Sequence, residues 1–249
     1  MTGTIKSKIN KMPSISLSEM DAVALMKRTD TKFVIPLSKL DGLLDRISNQ
    51  YCVLEVNNKR ITTYSSQYFD TPEKRFYHDH HNGKINRLKV RIRKYVDSNI
   101  AFLEIKQKDG KGITTKSRTS IPDFETVLSS KSNRFIESIT SQSLQLEPSL
   151  YNDFKRITLV SNNLNERATI DLNLSFALKE SVKTFEKAVI IEVKQEGVNR
   201  NSPIIQALRN SREYPFSISK YCIGVLHHFQ GIKYNRFKKK LITLKKISA

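Results

Sequence analysis

Six residues near the middle of the chain, Leu88-Lys89-Val90-Arg91-Ile92-Arg93, alternate aliphatic and cationic side chains without a break. Strand side chains point to opposite faces in turn, so Lys89, Arg91 and Arg93 share one face if the segment is extended. The pattern returns with Glu104, Lys106 and Lys108 in residues 102–108, with Lys116 and Arg118, with Arg167 and Asp171, and with Glu192 and Lys194 in residues 189–194. One such segment is an ordinary half-buried strand with its polar face in water. Five of them, rich in Arg and Lys where Ser, Thr, Gln and Asn would be ordinary, describe one shared charged surface. Arginine forks match phosphate oxygens, lysines add point charge, and carboxylates can hold Mg²⁺ or Mn²⁺. The chemistry this mixture suits is a concave site for phosphates with a bound divalent cation.

The elements that must position these residues follow from periodicity and punctuation. Residues 1–12 are polar and expected to be disordered. Ser16, three before Glu19, opens a capping signature for a short helix over 16–28. Asp30–Ile35 reads as a strand stopped by Pro36, and 38–47 as a helix with Leu40, Leu43, Leu44 and Ile47 on one face. Strands are predicted over 51–56, 61–69, 88–95, 100–107, 114–121, 153–160, 166–176 and 188–195. Turns are predicted at Asp70-Thr71-Pro72, Asn82-Gly83 and residues 109–112. Residues 122–150 have helical spacing and read as an insert, 203–209 as a helix, and Ser219 as the cap of a last helix through Phe229. About eight strands with charged faces favour an α+β protein built on an eight-stranded antiparallel closed barrel, helices outside and polar groups within. The division expected is a disordered basic extension (1–15), one domain (16–232) and a basic tail (233–249), whose lysines are a solvated run or an electrostatic guide for polyanions.

Composition sets outer limits. The net charge of +19 gives the sign of the partner and no more. Cys52 and Cys222 are too few and too far apart for a disulfide framework or zinc site, which fits a reducing compartment. No apolar run of membrane-span or signal-peptide length occurs, so a cytoplasmic protein with no integral membrane segment is expected. His78, Asp79, His80 and His81 crowd one turn without the further ligands that a tetrahedral zinc site requires.

Several strings, taken in order, resemble a known family: Arg28-Thr29-Asp30-Thr31-Lys32-Phe33, Tyr68-Phe69-Asp70-Thr71-Pro72, Asn86–Arg93, Phe102-Leu103-Glu104-Ile105-Lys106, Arg167–Asp171, Ile191–Lys194 and Ser219-Lys220-Tyr221-Cys222. Together they are similar to the VTC domain, the polyphosphate polymerase domain of the vacuolar transporter chaperone complex, in its stand-alone bacterial form. The resemblance implies the triphosphate tunnel metalloenzyme (CYTH-like) fold and transfer of the ATP γ-phosphate to a growing polyphosphate chain in a basic tunnel. It implies catalytic phosphate-binding roles for Lys32, Arg91, Arg93, Lys106, Arg156, Arg167, Lys194 and Lys220, and a metal role for Glu192, with Mn²⁺ or Mg²⁺. Lys89, Lys108, Lys116, Arg118 and Ser219 complete the set as substrate-binding residues, although Lys116 and Arg118 also read as a solvated face. Glu104 has the same Glu-x-Lys spacing as Glu192 and reads as a salt-bridge partner or a second metal ligand. Asp171 reads as the orienter of Arg167, and Asp30 as the partner of an inward lysine or, as the lesser alternative, a metal ligand.

Two departures from the eukaryotic complex are expected: no regulatory domain ahead of the barrel and no membrane span behind it. Asp30 and Lys32 also stand where hydrolytic relatives carry a Glu-x-Glu-x-Lys element, which favours polymer synthesis or binding over hydrolysis. The alternatives are a triphosphate or tripolyphosphate hydrolase and a non-catalytic polyphosphate binder. A nucleic-acid partner is disfavoured, because no helix-turn-helix, zinc finger or RNP-type aromatic motif is present and inward cations would not reach a duplex. A Walker phosphate loop is absent.

Overall fold

The computed structural model describes residues 3–21, 28–111, 113–197 and 199–248. Its strands are β1 (Ser14–Ile15), β2 (Arg28–Pro36), β3 (Tyr51–Leu54), β4 (Thr62–Asp70), β5 (Arg87–Tyr95), β6 (Ile100–Lys108), β7 (Thr114–Ile121), β8 (Glu147–Ser161), β9 (Glu166–Leu178), β10 (Ser181–Phe185) and β11 (Ala188–Glu196). Its helices are α1 (Gly3–Lys11), α2 (Leu17–Asp21), α3 (Leu40–Ile47), α4 (Arg75–Asn82), α5 (Ser130–Thr140), α6 (Pro203–Asn210), α7 (Lys220–His228) and α8 (Lys238–Ser248).

Eight strands form an antiparallel path in the order β2-β11-β9-β8-β4-β5-β6-β7, as an α+β fold requires. The expectation of a closed barrel is corrected: among the described residues no ladder joins β2 to β7, so the sheet curls without closing through backbone bonds. The curl brings strands far apart in ladder order face to face, with Lys106 on β6 in the field of Glu192 on β11.

Alternation sorts the two faces. Leu88, Val90 and Ile92 of β5, with Leu103 and Ile105 of β6, point outward and pack beneath Ile136 of α5 and Phe76 of α4. Phe33, Ile35, Ile170, Val189, Ile191 and Val193 point outward on the other wall, under α1, α3 and α6. Their neighbours in sequence therefore face inward.

One residue reverses this phase on β9. Asp153 pairs with Ser175 but Lys155 pairs with Leu172, so β9 carries an extra residue there, and Asn173 stands at φ 51°. Asn tolerates this left-handed conformation better than most side chains, and a bulge shifts the alternation by one. Asp171 faces inward before it, and Leu174 and Phe176 face inward after it. The interior is thus polar along one half of this wall and apolar along the other, where α7 inserts Tyr221, Cys222 and Ile223.

That insertion depends on Gly224. A Cβ there would lie 2.2 Å from Leu150 Cδ2 and 2.7 Å from Phe176 Cδ1, both on side chains 2% exposed or less. Gly224→Ala is expected to cost about 1–3 kcal/mol by overpacking, read as a lowered denaturation midpoint, even though alanine is the better helix former.

Both termini depart from expectation. Residues 3–11 are helical rather than disordered, because Ile5, Ile9 and Met12 lie at helical spacing among the lysines and are at most 3% exposed. Arg60 secures the end of α1 by donating to the carbonyls of Ile9, Asn10 and Met12 at 3.0, 3.0 and 2.8 Å. The basic tail forms α8, whose Leu241, Leu244 and Ile247 pack on the apolar half of the interior. The predicted helix at 16–28 keeps its capping box, Ser16 N–H donating to Glu19 Oε2 at 2.8 Å; α2 ends at Asp21, and residues 22–27 lie outside the described set. Only 130–140 of the predicted 122–150 insert is helical, and β8 already begins at Glu147. A helix, α4, precedes the predicted turn at Asn82-Gly83.

Candidate functional site

The inward face gathers its charges into three clusters, each a carboxylate clamped by two cations. On β2 and β11, Glu192 stands directly opposite Lys32 in the ladder, and its Oε1 takes the ammonium groups of Lys32 at 2.8 Å and Lys194 at 2.7 Å. Lys194 also reaches Asp30 at 3.6 Å. On β5 to β7, Glu104 pairs in register with both Arg91 and Arg118. Its Oε2 accepts two bonds from Arg91, at 2.8 and 2.6 Å, while Lys116 contacts Oε1. On β8 and β9, Asp171 accepts from Arg156 at 2.6 and 2.8 Å and from Lys220, the first residue of α7.

Burial alone would raise all three carboxyls, but the paired cations outweigh it. Arg156 and Lys220 hold Asp171 down to about 2, Arg91, Arg93 and Lys116 hold Glu104 far below its ordinary value, and Lys194 and Lys32 do the same for Glu192. All three are anionic at neutral pH.

Other cations have no carboxylate of their own. Arg93 is 9% exposed and its Nε has no hydrogen-bond partner; burial and Arg91 push it below its ordinary value. Lys106 has no ion-pair partner among the described residues, and burial followed by the field of Arg91 lowers it to about 7. Lys89 donates only to Ser219 Oγ, at 3.2 Å. A buried cation without a counterion is costly, and an anion brought from outside removes that cost.

The sequence-predicted residues fall as follows. Lys32, Arg91, Arg93, Lys106, Arg156, Lys194 and Lys220 converge on the interior. Arg167 lies on the same wall, opposite Lys194 in the ladder, and Asp171 orients Arg156 and Lys220 in place of the expected Arg167. Lys116 and Arg118 lie on the exposed strand β7. Lys108 stands at the end of β6 opposite Arg87. Ser219 caps α7 by accepting from Cys222 N–H at 3.4 Å, and holds Lys89 rather than facing the interior space itself. Both oxygens of Glu104 contact cations, Oε2 the Arg91 guanidinium and Oε1 the Lys116 ammonium.

Sequence reasoning missed an aromatic shelf. Tyr64 and Tyr68 alternate on β4 around Ser66, which stands opposite Arg93. The guanidinium groups of Arg93 and Arg156 lie 5.6 and 4.8 Å from the Tyr64 ring, and Arg91 lies 5.9 Å from Tyr68. Rings in these positions hold planar forks in place without neutralising them. The period-two spacing of the tyrosines was the available signal. Also missed was Asp70, fully buried, which accepts from the backbone N–H of Thr71, Phe76 and Tyr77 and from the Tyr221 hydroxyl. It ties α4 to α7 and so fixes where Lys220 begins its reach.

Comparison with known proteins now has a site to bear on. The family model described as the VTC domain matches residues 27–229. The chain belongs to the VTC domain family. No curated protein matches it. Among solved structures, a protein from Hippeastrum with a dominant triphosphatase activity aligns at 14% identity over 83% of this chain and 98% of its own, with a TM-score of 0.52. A conserved hypothetical protein from Pyrococcus furiosus aligns at 13% identity over 74% of this chain and 89% of its own, with a TM-score of 0.41. This VTC domain has the triphosphate tunnel (CYTH-like) fold. Among its described residues, no helix is long and apolar enough to cross a membrane.

Proposed function

We propose that this VTC domain is a metal-dependent polyphosphate polymerase, transferring the ATP γ-phosphate to a growing polyphosphate chain inside the tunnel. The observation that carries the reading is the excess of inward cations over carboxylates: among the described residues Lys89, Arg93 and Lys106 have no counterion even after Glu104, Asp171 and Glu192 have each taken two. A run of phosphates supplies the missing charge at repeated intervals.

Phosphoryl transfer asks little covalent help of a protein and much positioning. The terminal oxygen of the polymer is already anionic at neutral pH, so no side chain has to remove a proton. Arg91, held twice by one oxygen of Glu104, and Arg156, held by both oxygens of Asp171, are also set by aromatic rings and present oriented forks to phosphate oxygens. Lys32, Lys194 and Lys220 add charge where it develops on the transferred group.

A divalent ion fits a limited donor set. Among the described residues no group of three or more His, Cys, Asp or Glu side chains gathers to hold one. Glu192 and Asp30, bridged to it through Lys194, are the carboxylates that would hold Mn²⁺ or Mg²⁺. Ions of this kind take one or two carboxylates and complete their shell with phosphate and water. When bound, the ion neutralises phosphate charge in the transition state.

A second reading, hydrolysis of a triphosphate, is favoured by the activity of the Hippeastrum neighbour. Incubation with ATP and Mn²⁺ or Mg²⁺, followed by gel and phosphorus NMR analysis, separates the two. Polyphosphate with matching ADP supports the polymerase; free phosphate without polymer overturns it in favour of hydrolysis, and tight polyphosphate binding without turnover leaves a binding module.

The lowered Lys106 adds a pH signature. Its charged form is the one a phosphate prefers, and that form is lost as pH rises through about 7. Polyphosphate affinity is expected to fall by about tenfold from about pH 7 to about pH 8.5, with proton uptake on binding. Lys106→Arg, which stays charged, should flatten the profile in a calorimetric titration.

A further inference from the structure

The two ends of the interior differ in kind. Toward the end where β5 finishes and β6 begins the cations lie on aromatic rings, Arg93 5.6 Å from Tyr64 and Arg118 4.7 Å from Phe102. At the opposite end, where β5 begins, the ladder sets like charges directly against each other: Arg87 opposite Lys108, and Lys89 opposite Lys106, with Lys106 also opposite Lys116. Directly opposed like charges destabilise a sheet. Of these side chains only Lys116 has a carboxylate partner among the described residues.

The C-terminal helix adds to this cluster. Lys240 of α8 lies 5.6 Å from the ring of Phe237, and that ring is 6.0 Å from the imidazole of His80 on α4. Burial and then the fields of Lys89, Arg87, Lys240 and Lys108 lower His80 to about 3. Lys240 and Arg87 are partly buried and thus held in place. At this end the β9 wall is apolar beyond Asn173 and filled by α7, so the cationic route follows β5 and β6.

The geometry points to a second anion-binding station outside the tunnel, formed by Arg87, Lys108 and Lys240, which takes the phosphates of a polyphosphate chain as it leaves past β5 and β6. This rests on the polyphosphate reading above and extends it by adding a site for phosphates beyond the interior. Affinity therefore increases with chain length beyond what the interior alone accounts for.

The test compares short and long ligands on the full chain at fixed salt. Arg87→Gln with Lys240→Gln is expected to weaken binding of long-chain inorganic polyphosphate by about tenfold and to lower its salt dependence, while inorganic tripolyphosphate binds as before. Unchanged tripolyphosphate binding also shows that the variant is folded. Equal loss for both lengths, loss for neither, or loss of single-stranded oligonucleotide binding with polyphosphate binding intact would each overturn the station. If the unaltered protein binds neither tripolyphosphate nor polyphosphate, the polyphosphate reading itself fails, and the station with it.

Discussion

Asp171→Asn is expected to cost the ligand-free protein about 3–5 kcal/mol of unfolding free energy, because it strips the shared counterion from two buried cations at once. The Asp171 side chain is 2% exposed, Arg156 12% and Lys220 16%, so neither cation can turn to water without disturbing its packing. Lys220 begins α7, whose remaining first turn is buried against the β8 and β9 walls, and repulsion between Arg156 and Lys220 would work to lift that helix. Chemical denaturation read by circular dichroism measures the loss. Two companion results make the cause specific. Long-chain polyphosphate should stabilise Asp171→Asn more than it stabilises the unaltered protein, since the ligand replaces the missing charge. Lys220→Met in the same chain should recover part of the loss by removing one of the stranded cations. The pH dependence carries the same sign. A carboxyl lowered to about 2 contributes stability that is complete above the unfolded value near 4 and is lost as pH falls from there through 2. The variant lacks that acid transition.

Glu192→Gln should reduce metal-dependent turnover by about a hundredfold or more while leaving polyphosphate binding intact or tighter. The side chain is nearly isosteric, so the fold is preserved. Its loss of charge releases Lys32 and Lys194, which sit at 2.8 and 2.7 Å from the carboxylate, to face phosphate instead. Steady-state assays with ATP across a range of Mn²⁺ concentrations, set beside calorimetric titration with polyphosphate, check both halves. Full turnover in the variant would move the metal role away from Glu192. The contrast with Glu104→Gln is informative. Glu104 is saturated by Arg91 and Lys116, and its loss should loosen the Arg91 fork and weaken polyphosphate binding rather than change the metal requirement.

Much of this interior is legible in sequence because a strand with one buried face must alternate. Lys89, Arg91 and Arg93 could be assigned to one side from the spacing of Leu88, Val90 and Ile92 alone, and Lys32, Glu192 and Lys194 follow the same logic. Partnership was less legible. Asp171 sits four residues from Arg167, yet it serves Arg156 across the ladder and Lys220, 49 residues away; register and the docking of α7 decide this, and neither has a local signature. The extra residue at Asn173 was hidden for a similar reason, since Asn two residues after Asp171 reads as one more polar position on the same inward face. The terminal helices were obscured by charge. In α1 and α8 the lysines dominate the composition, while a few apolar residues at helical spacing, Ile5 and Ile9 or Leu241 and Leu244, make the contacts.

The bulge at Asn173 also acts as a ruler. Because the wall carrying Asp171 turns from charged to apolar at that one residue, the length of the charged face along β9 is set by where the residue stands and not by the length of the strand. Removing that one residue would exchange every side chain beyond it between the interior and the outer face. On the proposed polymerase reading, a deletion at Asn173 should therefore alter product length more than the removal of any one charge.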